Sequence, residues 1–183
     1  VLSYIDAGKR DGASVRLGGN RVRESSGGFY VEPTVFDGVS SRMKIATFNI
    51  NNINKRIGNL LSWLRAASPD VVCLQELKAA DSEFPKREIA GAGYGAVWRG
   101  QKSWNGVAIV ARGCEPVLTR DNLPGDAEDK QARYIEAAVN GVLIASLYAP
   151  NGNPQPGPKF NYKLAWMERL AQHAAELIAA DVP

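Results

Sequence analysis

The chain has 183 residues, of which 45% are hydrophobic and 22% are charged, and its formal net charge is +3 at pH 7. This length suits one domain that buries a core, and no apolar run approaches the roughly eighteen residues of a membrane-spanning helix. We therefore expect no membrane partner. The two cysteines, Cys73 and Cys114, offer no disulfide framework, which fits a reducing and therefore cytoplasmic location.

Predicted strands and helices alternate from residue 44 onward. Hydrophobic patterning predicts strands over 44–50, 71–76, 94–98, 106–111, 133–139 and 142–148, and helices over 54–67, 82–91 and 159–180. The dipeptide Asn140-Gly141 between the last two strands is the strongest two-residue hairpin signal. Mixed strands and helices with an antiparallel hairpin predict an α/β layered sandwich.

Polar side chains stand where three of these apolar strands end. They are Asn49 after the first strand, Glu76 after the second and Tyr148 after the last. Taken singly, each has an ordinary structural interpretation. Asn49 can form a turn, Glu76 can be a solvated carboxylate, and Tyr148 can be a core residue with an exposed hydroxyl. Their recurrence at equivalent positions favours a site, because sites in α/β sheets form outside the carboxyl ends of strands. An amide, a carboxylate and a phenol suit a hard cation and a phosphate.

Four ordered motifs carry a family resemblance. They are MKIATFNIN at 43–51, LQELK at 74–78, WNGVAI at 104–109 and YAPNG at 148–152. From Met43 to the last residue, the chain resembles bacterial exonuclease III, a member of the endonuclease/exonuclease/phosphatase superfamily. The resemblance implies an α/β fold with two sheets packed face to face between helices, of which 43–183 would form the N-terminal part of an incomplete sandwich.

The resemblance also implies a function. Proteins of this family are DNA repair nucleases that depend on Mg²⁺, with Mn²⁺ as an alternative, and act on duplex DNA at abasic sites and 3′ ends. It implies that Glu76 binds the metal with Asn49 beside it, and that Tyr148 hydrogen-bonds the phosphate that is cleaved. Asn151 and Lys78 would be further phosphate or supporting groups. The complete protein is expected to be a monomer.

Basic residues near the predicted strand ends have two interpretations. Arg133 and three similar residues can form an ordinary solvated surface, or they can form a phosphate-tracking rim around Trp104; the other three are Arg99, Lys102 and Arg112. A net charge of +3 permits nucleic-acid binding without requiring it. The family resemblance favours the rim, with Arg133 and Trp104 as substrate-binding residues.

Groups that orient the attacking water in the family are missing. The family supplies them in a Gly-Asp-x-Asn motif and a later Asp-His pair, neither of which this chain contains, and Asp181 lacks the context to replace them. The single histidine, His173, is expected at the edge of an apolar helical stripe, not as a catalytic base. That stripe comprises Leu164, Met167, Leu170, Ala171, Ala174, Leu177 and Ile178. We expect the 183-residue chain by itself to be inactive.

The first 42 residues resemble something different. The segments VLSYIDAGK at 1–9 and GFYVEPTVF at 28–36 are similar to an internal piece of an aldehyde dehydrogenase. That piece lacks the catalytic cysteine, and the chain has no Gly-x-Gly-x-x-Gly fingerprint, so we expect no nicotinamide cofactor. We interpret 1–42 as a fusion or a reading-frame artefact that packs poorly against 43–183.

Two other functions stay open beside the repair nuclease. One is a nucleic-acid-binding or metal-binding fragment without catalysis, which the missing residues make reasonable. The other is a different phosphoesterase of the same superfamily, such as a lipid or inositol phosphatase. The motif at 104–106 and the loop at 150–154 favour the DNA enzymes.

Overall fold

A computed structural model describes residues 5–6, 9, 14–22, 30–31, 34–37 and 43–182. The strands are β1 Ser14–Leu17, β2 Arg21–Val22, β3 Tyr30–Val31, β4 Thr34–Asp37, β5 Ile45–Asn49, β6 Val71–Gln75, β7 Tyr94–Arg99, β8 Val107–Arg112, β9 Val117–Arg120, β10 Tyr134–Val139 and β11 Val142–Leu147. From residue 43 onward, the α-helices are α1 Ile53–Ala67, α2 Lys86–Gly91 and α3 Pro158–Ala179. None of them is long and apolar enough to cross a membrane.

Two sheets stack face to face. The larger has the strand order β1-β4-β5-β6-β8-β7, with β5 and β6 parallel, and the smaller has the order β11-β10-β9. Strand β6 is central, and its residues from Val71 to Leu74 are all buried, as the continuous apolar run predicts for a strand covered on both faces. The core between the sheets contains Cys73, Val107, Ile109, Ile135, Ala137 and Ile144.

Helices cover the outer face of each sheet. Leu60 and Leu64 of α1 and Ile89 of α2 pack against the larger sheet. Trp166 of α3 packs with Tyr134 of β10 on the outer side of the smaller sheet. The order helix, sheet, sheet, helix confirms the predicted layered α/β sandwich.

Most predicted elements are confirmed within about two residues of their bounds. The Asn140-Gly141 hairpin is also confirmed: both residues have positive φ, 50° and 84°, as a tight hairpin turn of this kind requires. The predicted helix over 82–91 is wrong as one helix, because Pro85 separates a 3₁₀ turn at Asp81–Glu83 from α2. Strand β9 was not predicted.

Helix α3 buries a different face from the predicted stripe. Leu164, Met167 and Ile178 are exposed, whereas Trp166 and His173 are buried. His173 lies beside the predicted stripe but is itself buried, with its Nε2 atom 2.8 Å from Glu136 Oε2 of β10. The helix has this orientation because His173 contacts Glu136 and the Trp166 ring packs against Tyr134, both on strand β10 of the smaller sheet.

The described part of residues 1–42 adds strands to the edge of the larger sheet. Strand β4 pairs antiparallel with β5 over Thr34↔Thr47 and Val35↔Ala46, and β1 pairs with β4. This contact is short, and the assignment of 1–42 to a separate unit stays a prediction. Cys73 and Cys114 are both free thiols.

Candidate metal and phosphate site

Three strand ends meet at one edge of the two sheets. In the parallel pair of β5 and β6, Asn49 is opposite Gln75, and the Ile50 amide donates to the Gln75 carbonyl at 2.9 Å. The smaller sheet is attached to β6 by the Ser146 hydroxyl, which donates to the Leu74 carbonyl at 3.2 Å. Tyr148, which follows β11, is thereby placed so that its hydroxyl donates to Glu76 Oε1.

The backbone turns sharply after β6. Glu76 and Lys78 have φ values of 55° and 49°, in the left-handed region that non-glycine residues seldom adopt. Hydrogen bonds hold this conformation: the Asn52 amide donates to the Glu76 carbonyl at 2.9 Å, and the Lys78 amide donates to the Asn105 carbonyl at 3.0 Å. Each such residue costs on the order of 1–3 kcal/mol, and residues of this kind cluster at functional sites.

Glu76 is held in its charged form. Partial burial by itself raises the pKa of the Glu76 carboxyl, but hydrogen bonds from Tyr148, Lys78 and Asn49 outweigh burial, and the pKa lies below its usual range. The Lys78 ammonium is 2.9 Å from Glu76 Oε2. At neutral pH the site therefore presents an anionic carboxylate.

Tyr148 is held in its neutral form. Burial, together with its hydrogen bond to the Glu76 carboxylate and the charge of that group, raises the pKa of Tyr148 to about 12. The phenol consequently keeps its proton at neutral pH and acts as a hydrogen-bond donor. A phosphate oxygen can accept that bond in place of Glu76.

Oxygen atoms of Glu76 and Asn51 both contact the ammonium group of Lys78. Lys78 Nζ donates to Asn51 Oδ1 at 2.7 Å while it pairs with Glu76, and Asn49 Oδ1 accepts from the Asn51 amide at 3.0 Å. Carboxylate and amide oxygens are the ligands of a hard divalent cation, which is often held by one or two carboxylates with waters and a substrate phosphate. The donor set therefore fits a hard divalent cation with Glu76 as the anionic ligand.

A cleft of about 540 Å³ opens beside these residues. Arg133 borders it, with its guanidinium 5.0 Å from the centre of the Tyr148 ring and its Nη1 donating to the Tyr148 carbonyl at 3.2 Å. Trp104 projects at the opening and is 69% exposed. The other lining residues are Glu76, Lys78, Asn105, Gln131, Pro150, Asn151, Gly152, Pro158, Lys159 and Tyr162.

Six of the seven predicted site residues line this cleft. Asn49 is the exception, since it lines a neighbouring apolar cleft, although it reaches Glu76 by a hydrogen bond. Sequence reasoning missed Asn51, Asn105 and Gln131 as site residues. The signals for the first two were their positions within the motifs at 43–51 and 104–109, whereas nothing in the sequence marked Gln131.

The arrangement defines a class of protein. It is a layered α/β protein whose strand ends bring a carboxylate, amides and a phenol together with cationic side chains around a cleft, as needed to bind a phosphate group beside a divalent cation. Residues 46–183 match the endonuclease/exonuclease/phosphatase family. The chain belongs to that family. Residues 1–50 also match the aldehyde dehydrogenase family, in agreement with the resemblance noted for the first segment.

Relatives of known structure and sequence agree with this assignment. The chain is 37% identical to the 3′-5′ exonuclease NExo of Neisseria meningitidis, with a TM-score of 0.71 over 75% of this chain and 53% of that one. It is 37% identical to an AP endonuclease from Archaeoglobus fulgidus, with a TM-score of 0.66 over 70% of this chain and 49% of that one. It is 38% identical to exodeoxyribonuclease III of Haemophilus influenzae over 60% of this chain and 42% of that protein. The chain thus spans about half the length of these relatives.

Proposed function

We propose that this chain carries the metal-binding and phosphate-binding part of a DNA repair nuclease of exonuclease III type. The reaction is divalent-cation-dependent hydrolysis of phosphodiesters at abasic sites and 3′ ends of duplex DNA, with Mg²⁺ as the cation and Mn²⁺ as a substitute. The observation that carries the proposal is the convergence of Glu76, Lys78, Tyr148 and Arg133 on one cleft beside the exposed Trp104. The names of the relatives, which include a structure of NExo with a DNA hairpin, support DNA as the substrate.

Each residue has a role that its environment suits. Glu76 and Asn49 would hold the cation, which when bound would supply positive charge beside the phosphoryl oxygens. The protonated Tyr148 hydroxyl donates to the scissile phosphate, and Lys78 and Asn151 add a charge and an amide near it. Arg133 would donate to a neighbouring phosphate from Nη2, the guanidinium nitrogen that makes no hydrogen bond to a described residue.

Trp104 favours DNA over the alternative substrates. An indole that is 69% exposed at the mouth of a cationic cleft can stack on a base or fill the gap left by a missing one. An enzyme for a lipid or inositol phosphate does not require such a platform.

The proposal also includes a cytoplasmic location and a monomeric state for the complete protein.

Catalysis requires groups that the described cleft does not provide. Glu76 is the one carboxylate among its lining residues, and no group of three or more histidine, cysteine, aspartate or glutamate residues suitable for a metal occurs in the described part of the chain. His173 cannot serve as the base, because it is buried against Glu136 on the far side of the smaller sheet. A positioned acid or base typically contributes about 10²–10⁴-fold.

We therefore expect the purified chain to bind duplex DNA without cutting it. Fluorescence anisotropy with a duplex that contains a tetrahydrofuran abasic analogue should show binding that weakens as salt rises. Gel analysis of the same samples with millimolar Mg²⁺ should show no incision above that of a Glu76→Ala control. Failure to bind would contradict DNA as the ligand, whereas incision that disappears in the control would contradict the expected inactivity.

We also propose that residues 1–42 form a unit separate from the nuclease portion 43–183. The two family matches, which overlap only at residues 46–50, support this division, and among the described residues β4 and β5 pair over just two residue pairs. Limited trypsin digestion should cut after Arg42 before it cuts within 43–180. Mass spectrometry of the early products would identify the site, and equal protection on both sides would rule out the division.

A further inference from the structure

The segment 131–133 is attached to the loop 100–106 by a set of hydrogen bonds. The Gly106 amide donates to the Ala132 carbonyl at 2.9 Å, and the Ala132 amide donates to Gln101 Oε1 at 3.0 Å. The Asn105 side chain is buried and bridges the two segments, because its Nδ2 atom donates to Gln101 Oε1 at 2.8 Å and lies 3.5 Å from Gln131 Oε1. The two segments are thereby joined at the cleft.

The side chain of Gln131, in the attached segment, is hydrogen-bonded to the guanidinium of Arg133. Gln131 Oε1 accepts a hydrogen bond from Arg133 Nε at 2.7 Å. Arg133 Nη1 donates to the carbonyls of Tyr148 at 3.2 Å and Ala149 at 3.4 Å, in the segment that follows the neighbouring strand β11. These bonds use Nε and Nη1 and leave Nη2 uncommitted to any residue that the structure describes.

We propose that Gln131, supported by Asn105, is a positioning residue that orients the Arg133 guanidinium toward a DNA phosphate. The inference rests on the proposed function, since it names the residue that prepares one phosphate contact of the same cleft. A free arginine side chain loses rotamer freedom when it binds a phosphate. An acceptor that already fixes the plane of the guanidinium reduces that loss, because the direction of the free Nη2 donor is set before a phosphate binds.

Asn105 favours the side-chain rotamer of Gln131 in which Oε1 points toward Arg133. Gln131 is only half-buried, and its amide could otherwise rotate. The Nδ2 donor of Asn105 faces Gln131 Oε1, which favours the rotamer that directs this oxygen toward Arg133. Asn105 also carries the carbonyl that accepts from the Lys78 amide. The same residue thus joins the Arg133 side of the cleft to the Glu76 side.

A double-mutant cycle on DNA binding tests the proposal. Gln131→Met keeps the size of the side chain and removes the acceptor, and Arg133→Ala removes the guanidinium. We expect Gln131→Met to weaken binding of the abasic duplex by about 2–10-fold, the effect of one lost hydrogen bond. Arg133→Ala should weaken binding by about 10–100-fold and reduce the salt dependence by about one phosphate contact. In the Arg133→Ala background, Gln131→Met should have no further effect.

The matched control is Gln172→Met, the same chemical change on the exposed surface of α3, which should bind DNA like the unmodified chain. Urea denaturation of each variant shows whether the fold is intact. Additive effects of Gln131→Met and Arg133→Ala, or a Gln131→Met variant that binds and responds to salt like the unmodified chain, would overturn the positioning role.

A measurement without DNA separates this inference from the proposed function. In the free chain, NMR should show the Arg133 Nε–H protected from exchange with water, and Arg133→Ala assigns the signal. Protection should persist in Gln131→Glu, which keeps an acceptor oxygen, and disappear in Gln131→Met. If the chain fails to bind DNA but this pattern holds, the proposed ligand is wrong and the positioning of Arg133 by Gln131 stands. If the Arg133 Nε–H stays protected in Gln131→Met as well as in Gln131→Glu, Gln131 does not position Arg133.

Discussion

Replacing Glu76 with glutamine is expected to weaken binding of Mn²⁺ and Mg²⁺ by at least about tenfold, because the substitution removes the anionic ligand and keeps its shape. Calorimetric titration of the 183-residue chain measures this directly. For turnover, we suggest a chimera that joins residues 43–182 to the C-terminal part of the Haemophilus influenzae exodeoxyribonuclease III that it matches. There Glu76→Gln should reduce turnover on the order of 10²-fold, with partial recovery at raised Mg²⁺.

Tyr148→Phe is the matched comparison, since it deletes a single hydroxyl from the same cleft. It removes a charge-assisted hydrogen bond to the phosphate, so turnover of the chimera should decrease by roughly 10–100-fold. Bonds to Glu76 from Lys78 and Asn49 remain, so the carboxylate stays ionised and cation binding should be unchanged. If added metal rescues Tyr148→Phe and not Glu76→Gln, the proposed roles are reversed.

Replacing Glu136 with alanine is expected to destabilise the fold by about 3–5 kcal/mol, because it leaves the partners of a buried carboxylate unpaired. Glu136 is 3% exposed and accepts hydrogen bonds from Thr119 at 2.7 Å and from Tyr134 at 2.8 Å, with His173 Nε2 also at 2.8 Å. The free energy of unfolding from urea titration provides the measurement.

The control for this prediction is Glu176→Ala on the outer side of α3. The Glu176 side chain is 60% exposed, and its carboxylate lies 3.9 Å from His173 Nδ1. An exposed charge of this kind contributes roughly 0–1 kcal/mol. Similar losses of stability in the two variants would show that the buried network around Glu136 does not hold α3 in place.

Acid should act on the same network. Burial raises the pKa of Glu136, but hydrogen bonds from His173, Thr119 and Tyr134 outweigh it, so the pKa in the folded state is below its ordinary value of 4.5. A group whose pKa is lowered by folding stabilises the fold above its unfolded pKa and loses that contribution as pH falls through its folded pKa. We therefore expect the unmodified chain to exceed Glu136→Ala in free energy of unfolding by the full amount above pH 4.5. This difference should shrink as the pH falls further.

Local sequence patterns predicted most of the fold and the centre of the candidate site. The apolar run at Val71–Leu74 predicted a strand covered on both faces, and Asn140-Gly141 predicted a hairpin, because both signals depend on near neighbours in the chain. Glu76 and Tyr148 were predicted as partners of one site, and the structure joins them by a hydrogen bond. Their chemical roles stay predictions.

The face of α3 could not be predicted in the same way. Its apolar residues Leu164, Met167 and Ile178 have helical spacing, yet they are exposed, while His173 is buried. A periodic pattern identifies a helix and the side that is apolar. Which side is buried depends on what the neighbouring sheet presents, and here β10 presents Glu136 and Tyr134.

Spacing along the chain was enough to predict most strands and helices from residue 44 onward, and also the polar residues that stand where three of the strands end. Which residues meet across the cleft depends on how distant segments pack in the folded protein. Gln131 and Arg133 are separated from Asn105 by more than two dozen residues, and no local signal records that they share a network. The reason is physical: a hydrogen-bonded network between loops forms only after two sheets have packed and brought distant segments together.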